Sequence, residues 1–202
     1  MSRPNYLNEI KRIIINAEIG TVFVAVDFVN ITYKKTVSMG LTRLEADGLI
    51  RRVLRGVYYK PEYNDFWGEY VAPSPDKVAN ALARNFGWTI VPCGNTVLKL
   101  LGLSTQVPAA WVYASDCTYK EYTYDNITIQ FKRTTNKEVS RLSYKTALTV
   151  QALKALGKDK IDDTVIGRLS ALLTAEEKKN MLDEAKAVTS WIYEYIKQIC
   201  RS

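Results

Sequence analysis

With 202 residues, 47% hydrophobic and 24% charged, the chain can hold one large or two small domains, each burying a core. It has no apolar run near the ~18–20 residues of a membrane span, and its start, Met1-Ser2-Arg3-Pro4, lacks the pattern of a secretory signal; a cytoplasmic protein with no membrane partner is expected. It has no histidine, no glycine-rich phosphate loop and no tight carboxylate cluster, which removes imidazole acid–base chemistry and points to a non-enzymatic chain without cofactor or metal.

The first helix is predicted from Tyr6 to Ala17, with Leu7, Ile10, Ile13, Ile14 and Ala17 on one face. Gly20 stops it, Thr21–Val24 is a short β-rich run, and Ala25–Ile31 forms a brief helix burying Phe28 and Val29. After a turn at Thr32-Tyr33, another helix runs from about Lys34 to Asp47 on the stripe Val37, Leu41 and Leu44, with Gly40 inside it and Gly48 as its stop. Two short strands follow, Ile50–Leu54 and Val57–Lys60, joined through Arg55-Gly56. Helix, strand, helix, helix and hairpin are the parts of a winged helix-turn-helix.

Pro61–Pro75 holds three of the six prolines with Asn64, Gly68 and Ser74, and reads as an inter-domain connection, although Phe66, Trp67 and Tyr70 argue that it packs. Beyond it, Asp76 is a candidate cap for a helix through Phe86 that buries Val78, Leu82 and Phe86. Trp88–Pro92 reads as a strand and Asn95–Leu101 as a short helix closed by Gly102. Trp111–Ala114, Tyr119–Tyr124 and Asn126–Lys132 alternate as strands of a half-buried antiparallel sheet do. The last third is helical: Tyr144–Leu156, Asp162/Asp163–Leu173, a helix opened by the capping box Thr174–Glu177, and one from about Ala185 with Val188, Trp191, Ile192, Tyr195, Ile196 and Ile199 on a broad face. The expected fold class is thus α+β, with a winged helix-turn-helix in 1–60, a linker in 61–75, and a mixed α/β partner domain in 76–202 whose C-terminal helices occupy about 143–202.

The formal charge is +7, of which residues 1–60 carry +5 and 61–202 carry +2. That distribution suits a nucleic-acid footprint near the amino end. With Val37 at zero and ~100° per residue, Lys35, Ser38, Met39 and Thr42 fall opposite the core stripe, flanked by Lys34, Thr36 and Arg43. They form a candidate double-stranded DNA-reading face; a merely solvated helix face has the same pattern. Arg51, Arg52 and Arg55 on the hairpin suit flanking phosphates, with Lys60 as a further charge, against the alternative of a solvated, charged sheet edge.

A second basic surface, Lys132, Arg133, Lys137 and Arg141 with Lys145 behind it, can meet DNA, RNA or a protein, or be a solvated helix start. Trp111, Tyr113, Tyr122, Tyr124 and Phe131 resemble a stacking platform but read as core. Cys93, Cys117 and Cys200 read as small buried hydrophobes. Asp116, Glu121 and Asp125 are the carboxylates on which an enzymatic reading, such as a nuclease, would depend.

Gly20–Phe23, Leu44–Ile50 (LEADGLI) and Arg55–Pro61 resemble the winged helix of AbiEi-type antitoxin regulators, of type IV toxin–antitoxin systems. Asp76–Ala79, Phe86–Trp88, Leu101–Pro108 and Ile129–Arg133 are similar to the antitoxin region of a compact AbiEi-like branch. The likeness covers nearly the whole chain; GLSTQVP and FKR are its more specific parts. It implies a phage-defence antitoxin that counteracts a nucleotidyltransferase-like toxin through its C-terminal domain and represses its own operon by binding promoter DNA. The alternative is a stand-alone winged-helix transcriptional regulator whose C-terminal domain senses a ligand or dimerises.

Overall fold

The computed structural model describes residues 6–134 and 140–202, a mixed α/β chain. Contacts divide it into two compact units: one running to Trp88 together with Tyr124–Asn126, the other Thr89–Thr123 with Ile127–Ser202.

In the first unit, α1 (Tyr6–Asn16) is followed by β1 (Val22–Val24), a 3-10 turn (Ala25–Phe28), α2 (Lys34–Ala46), β2 (Arg51–Leu54) and β3 (Val57–Tyr59). β3 lies between β1 and β2, antiparallel to both. The β2–β3 turn closes in two residues because Gly56 takes φ +78°, a region closed to most side chains. Ile10, Ile14, Phe28, Val37, Leu41, Leu44 and Ile50 are buried in one core cluster. Two apolar residues assigned to that core stand outside it. Ile13 lies ~100° round the helix from Ile14, and the seam is only as wide as Ile10 and Ile14, leaving Ile13 exposed. Val29 follows the single 3-10 turn that carries Phe28 inward, and is exposed.

Gly40 is buried in α2, facing α1, without a tight approach that would require a glycine. A methyl group there would sit 3.5 Å from Leu7 Cδ1 and 3.8 Å from Ile10 Cδ1, ordinary contact distances. Gly40→Ala is therefore expected to stabilise the first unit by about 0.5–1 kcal/mol through helix propensity, read by calorimetry as a higher Tm; a lower Tm would show that α1 and α2 cannot accommodate the methyl.

Residues 61–75 are not an open connection. β4 (Glu62–Asn64) and β5 (Glu69–Val71) pair as an antiparallel hairpin. α3 (Pro75–Phe86) packs on β1 and belongs to the same unit, tied by Arg84, which pairs with Asp27 at 2.9 Å and donates to the Val22 carbonyl at 3.2 Å. The start of α3 also differs from the sequence reading. Ser74 holds the cap position with Pro75 at N1, where its fixed φ and missing N–H fit, and Asp76 accepts from Asn80 instead. Phe86, expected inside, is half exposed and stacks on Trp88 at 4.7 Å.

The second unit holds β6 (Ile90–Pro92), α4 (Asn95–Leu100), β7 (Trp111–Ser115), β8 (Lys120–Tyr124) and β9 (Ile127–Arg133), its sheet running β6-β7-β9-β8. The sheet is mixed: β6 is antiparallel to β7, but β9 is parallel to it, because β8 takes the edge and β9 turns back alongside β7. Tyr113 and Phe131 are fully buried, 5.9 Å apart. Then come α5 (Tyr144–Leu156), α6 (Asp163–Ala171), α7 (Ala175–Glu184) and α8 (Ser190–Arg201). Ala185–Ala187 is a separate 3-10 turn and Val188 is extended, so α8 begins later than expected, with Ile192, Ile196 and Ile199 buried.

Two carboxylates of α7 fasten these helices. Thr174 and Glu177 form the expected capping box, and Glu184 accepts from the Ser143 amide at 2.9 Å and hydroxyl at 2.8 Å, holding the start of α5. The Thr174 amide draws Glu177 below its ordinary pKa of 4.5. Burial pushes Glu184 up, but hydrogen bonds from Thr146 and Ser143 outweigh it and leave it lowered as well. Groups more acidic when folded stabilise above their unfolded pKa, and that contribution is lost as pH falls through the lowered values. The second unit is thus expected to weaken below the ordinary carboxylate value of 4.5, and Glu184→Gln to flatten that loss. Identical acid-unfolding profiles for the variant and the parent would exclude Glu184 as a source.

Candidate nucleic-acid interface

The exposed side of α2 is set by its buried one. Val37, Leu41 and Leu44 are inside, so Lys34, Lys35, Ser38, Met39, Thr42 and Arg43 face solvent, with Thr36 half-buried at the margin. The side chains of Lys34, Lys35 and Arg43 have no ion-pair or hydrogen-bond partner among the described residues. The polar groups between them are partly engaged: the Ser38 hydroxyl donates to the Lys34 carbonyl at 2.9 Å and the Thr42 hydroxyl to that of Ser38 at 3.1 Å. Thr42 also lies 3.3 Å from the Tyr58 hydroxyl, linking the helix to β3.

The hairpin arginines differ from one another. Arg52 pairs with Glu45 at 2.8 Å and lies over the Tyr58 ring at 5.5 Å; Tyr58 first, then Glu45, raises its pKa, against the lowering effect of burial. Arg51 stacks over Tyr70 at 4.1 Å. Both remain exposed, but their guanidiniums already have neighbours. Arg55, at the turn, is exposed with no such partner among the described residues. Lys60 serves elsewhere: its ammonium donates to the carbonyls of Ile15 at 2.6 Å and Ala17 at 2.8 Å, closing the C-terminal end of α1 where a cation is favoured. Sequence spacing could not reveal this, since the partners lie more than forty positions away.

On the second unit, Lys132, Arg133 and Arg141 are exposed, and Lys137 lies outside the described residues. Leu103–Gln106 help line a cleft of about 600 Å³ with Leu98, Leu156, Lys160 and Arg168. Arg168 donates to the Gly102 carbonyl at 2.6 Å and Lys99 to that of Thr105 at 3.3 Å, which fix this loop. This cleft had no signal in the sequence beyond the family-like segment itself.

The candidate carboxylates are employed structurally. Asp116 accepts from the Thr89 amide, Glu121 from Tyr119 and Gln130, and Asp125 occupies the β8–β9 turn at φ +46°. Among the described residues no group of three or more Cys, Asp or Glu is placed to hold a metal ion, and no helix is long and apolar enough to cross a membrane. The three cysteines are half-buried, not fully buried, and are not joined to one another. Burial pushes the thiols of Cys93 and Cys200 up.

The molecule is therefore a two-unit mixed α/β protein whose first unit presents a cationic helix beside an arginine-bearing hairpin. It belongs to the DUF6088 family, a family of unknown function, whose model matches residues 9–181 and so reaches from α1 into α7. No curated protein matches the sequence.

Proposed function

We propose that the chain is a double-stranded DNA-binding antitoxin that represses its own operon and counteracts a nucleotidyltransferase-like toxin in the bacterial cytoplasm. The observation that carries the DNA-binding half is the row of unpartnered cations on the exposed face of α2, with hydroxyls between them. The order α1, β1, 3-10 turn, α2, β2, β3, with sheet order β1-β3-β2, supports a winged helix-turn-helix in which α2 enters the major groove. Lys34, Lys35, Arg43 and Arg55 neutralise phosphates, while Ser38, Met39 and Thr42 reach base edges, Met39 against a thymine methyl. Thr36 borders the face, and Arg51 and Arg52 contribute field more than direct contacts, since Tyr70, Tyr58 and Glu45 already hold them.

The antitoxin half is supported by the likeness of Leu101–Pro108 and Ile129–Arg133 to the AbiEi-like antitoxin region. Co-expression with the neighbouring gene tests it: this chain should restore growth if that gene encodes the toxin, and continued arrest with soluble chain present would contradict it. The cleft beside Leu103–Gln106 favours a second reading, a stand-alone regulator whose C-terminal domain senses a small polar ligand. Absence of a toxin gene beside this one, together with operator binding that changes with a metabolite, would select it.

A further inference from the structure

Residues 61–73 contain no Lys or Arg but three carboxylates, Glu62, Asp65 and Glu69, in a chain of charge +7. Within them the β4–β5 hairpin holds Phe66 85% and Trp67 72% exposed, edge to face at 5.0 Å. Tyr63 and Tyr70 behind them also pack edge to face at 5.0 Å and are half exposed. The tip is fixed by Asn64, whose side-chain oxygen accepts from the amides of Phe66 at 3.0 Å and Trp67 at 3.2 Å. Together these four aromatic side chains expose on the order of 500 Å², toward the upper end for the largest apolar patch on a soluble monomer. Arg51 lies over Tyr70 at the base of this patch, so its acidic character is that of the tip, where Asp65 and Glu69 flank Phe66 and Trp67 and call for a cationic surface with an apolar centre.

This chain has such a surface. Lys35, Met39 and Arg43 are spaced four apart, a cation–apolar–cation row along α2. Met39 is half exposed, and Tyr33 at the head of the helix is 86% exposed. We infer that the hairpin tip of one copy docks on the cationic face of α2 in a second copy of this chain. Reciprocal docking about a two-fold axis closes the pair, each copy giving one hairpin and receiving one. If each contact covers the ~500 Å² of exposed ring surface and a like area of the partner, the two contacts of the pair together bury at most about 2,000 Å², within the range of specific interfaces. Phe66 and Trp67 are the buried anchors against Tyr33 and Met39, while Asp65 and Glu69 meet Lys35 and Arg43. Hairpin-to-hairpin docking is the poorer arrangement because it sets carboxylates against carboxylates. DNA and the second copy then compete for one face; that consequence rests on the DNA-binding reading, whereas the dimer does not.

Sedimentation of the full chain tests it. A dimer is expected that weakens with rising salt and dissociates when duplex DNA is added. Trp67→Ala, Asp65→Lys and Lys35→Glu are each expected to weaken it by about tenfold or more; all three positions are exposed, so circular dichroism should not change. Mixing the Asp65→Lys chain with the Lys35→Glu chain should restore a heterodimer, because each reversed charge then meets its opposite. A chain monomeric up to ~100 μM, or a dimer indifferent to both Trp67→Ala and Lys35→Glu, overturns the inference; the monomer would assign the hairpin to a different protein. A parent chain that binds duplex DNA but never dimerises sinks this inference alone, and a dimer that responds to these variants in a chain that binds no duplex DNA sinks the DNA reading alone.

Discussion

Leu41→Ala is expected to destabilise the first unit by about 2–5 kcal/mol, a large part of the ~5–15 kcal/mol typical of a whole protein. Leu41 is fully buried at the centre of α2, in one cluster with Ile10, Ile14, Phe28 and Val37. Removing its branched end takes away apolar burial and leaves a cavity that the surrounding helices fill only in part. The second unit has a core of other residues, with Val150, Leu153, Leu169, Met181 and Ile196 among them, so its transition should stay where it is. In a urea titration followed by amide exchange, α1–β3 should open earlier while α5–α8 remain protected. A loss below ~1 kcal/mol would mean that the α1–α2 seam repacks freely.

Lys35→Glu combined with Arg43→Glu is expected to weaken binding to duplex DNA by well over tenfold at ~0.1 M salt, because on the proposed reading two phosphate contacts become repulsions. Replacing the same pair by alanine should lower the slope of log affinity against log salt by about 1.8, since each lost contact removes ~0.9 of a released counterion. Arg52→Ala is expected to do less, as its guanidinium is shared with Glu45 and Tyr58. An Arg52→Ala effect larger than that of the helix pair would move the binding surface from α2 to the hairpin.

The parts of the fold legible in the sequence were those governed by local rules. The stripe Val37, Leu41 and Leu44 fixes the rotation of α2, and Thr174–Glu177 marks the start of α7, because capping and amphipathicity act within a turn or two. The β4–β5 hairpin was hidden: each strand is three residues long, too short for an alternation to register, and its Pro, Asn and Gly content reads as loop. Strand alternation is also blind to direction, so the parallel pairing of β7 with β9 carried no signal.

At the candidate interface, which residues are exposed followed from helical phase, while what each cation touches did not. Lys60 reaches the end of α1, and Arg51 reaches Tyr70 across the hairpins. These are tertiary partners with no spacing rule. The unpartnered state of Lys34, Lys35 and Arg43 among the described residues, which carries the functional reading, likewise emerges only when the neighbours are in place.

Site-directed attachment tests the proposed DNA-facing role of α2 most directly. Met39→Cys in the full chain, mixed with duplex DNA bearing a disulfide-tethered thiol, should join to the DNA, because position 39 lies in the middle of the exposed row. The parent chain, with its three half-buried thiols, and Leu172→Cys at the exposed end of α6 should not. Retained DNA binding without attachment at position 39, or equal attachment at position 172, would place the DNA elsewhere on the molecule.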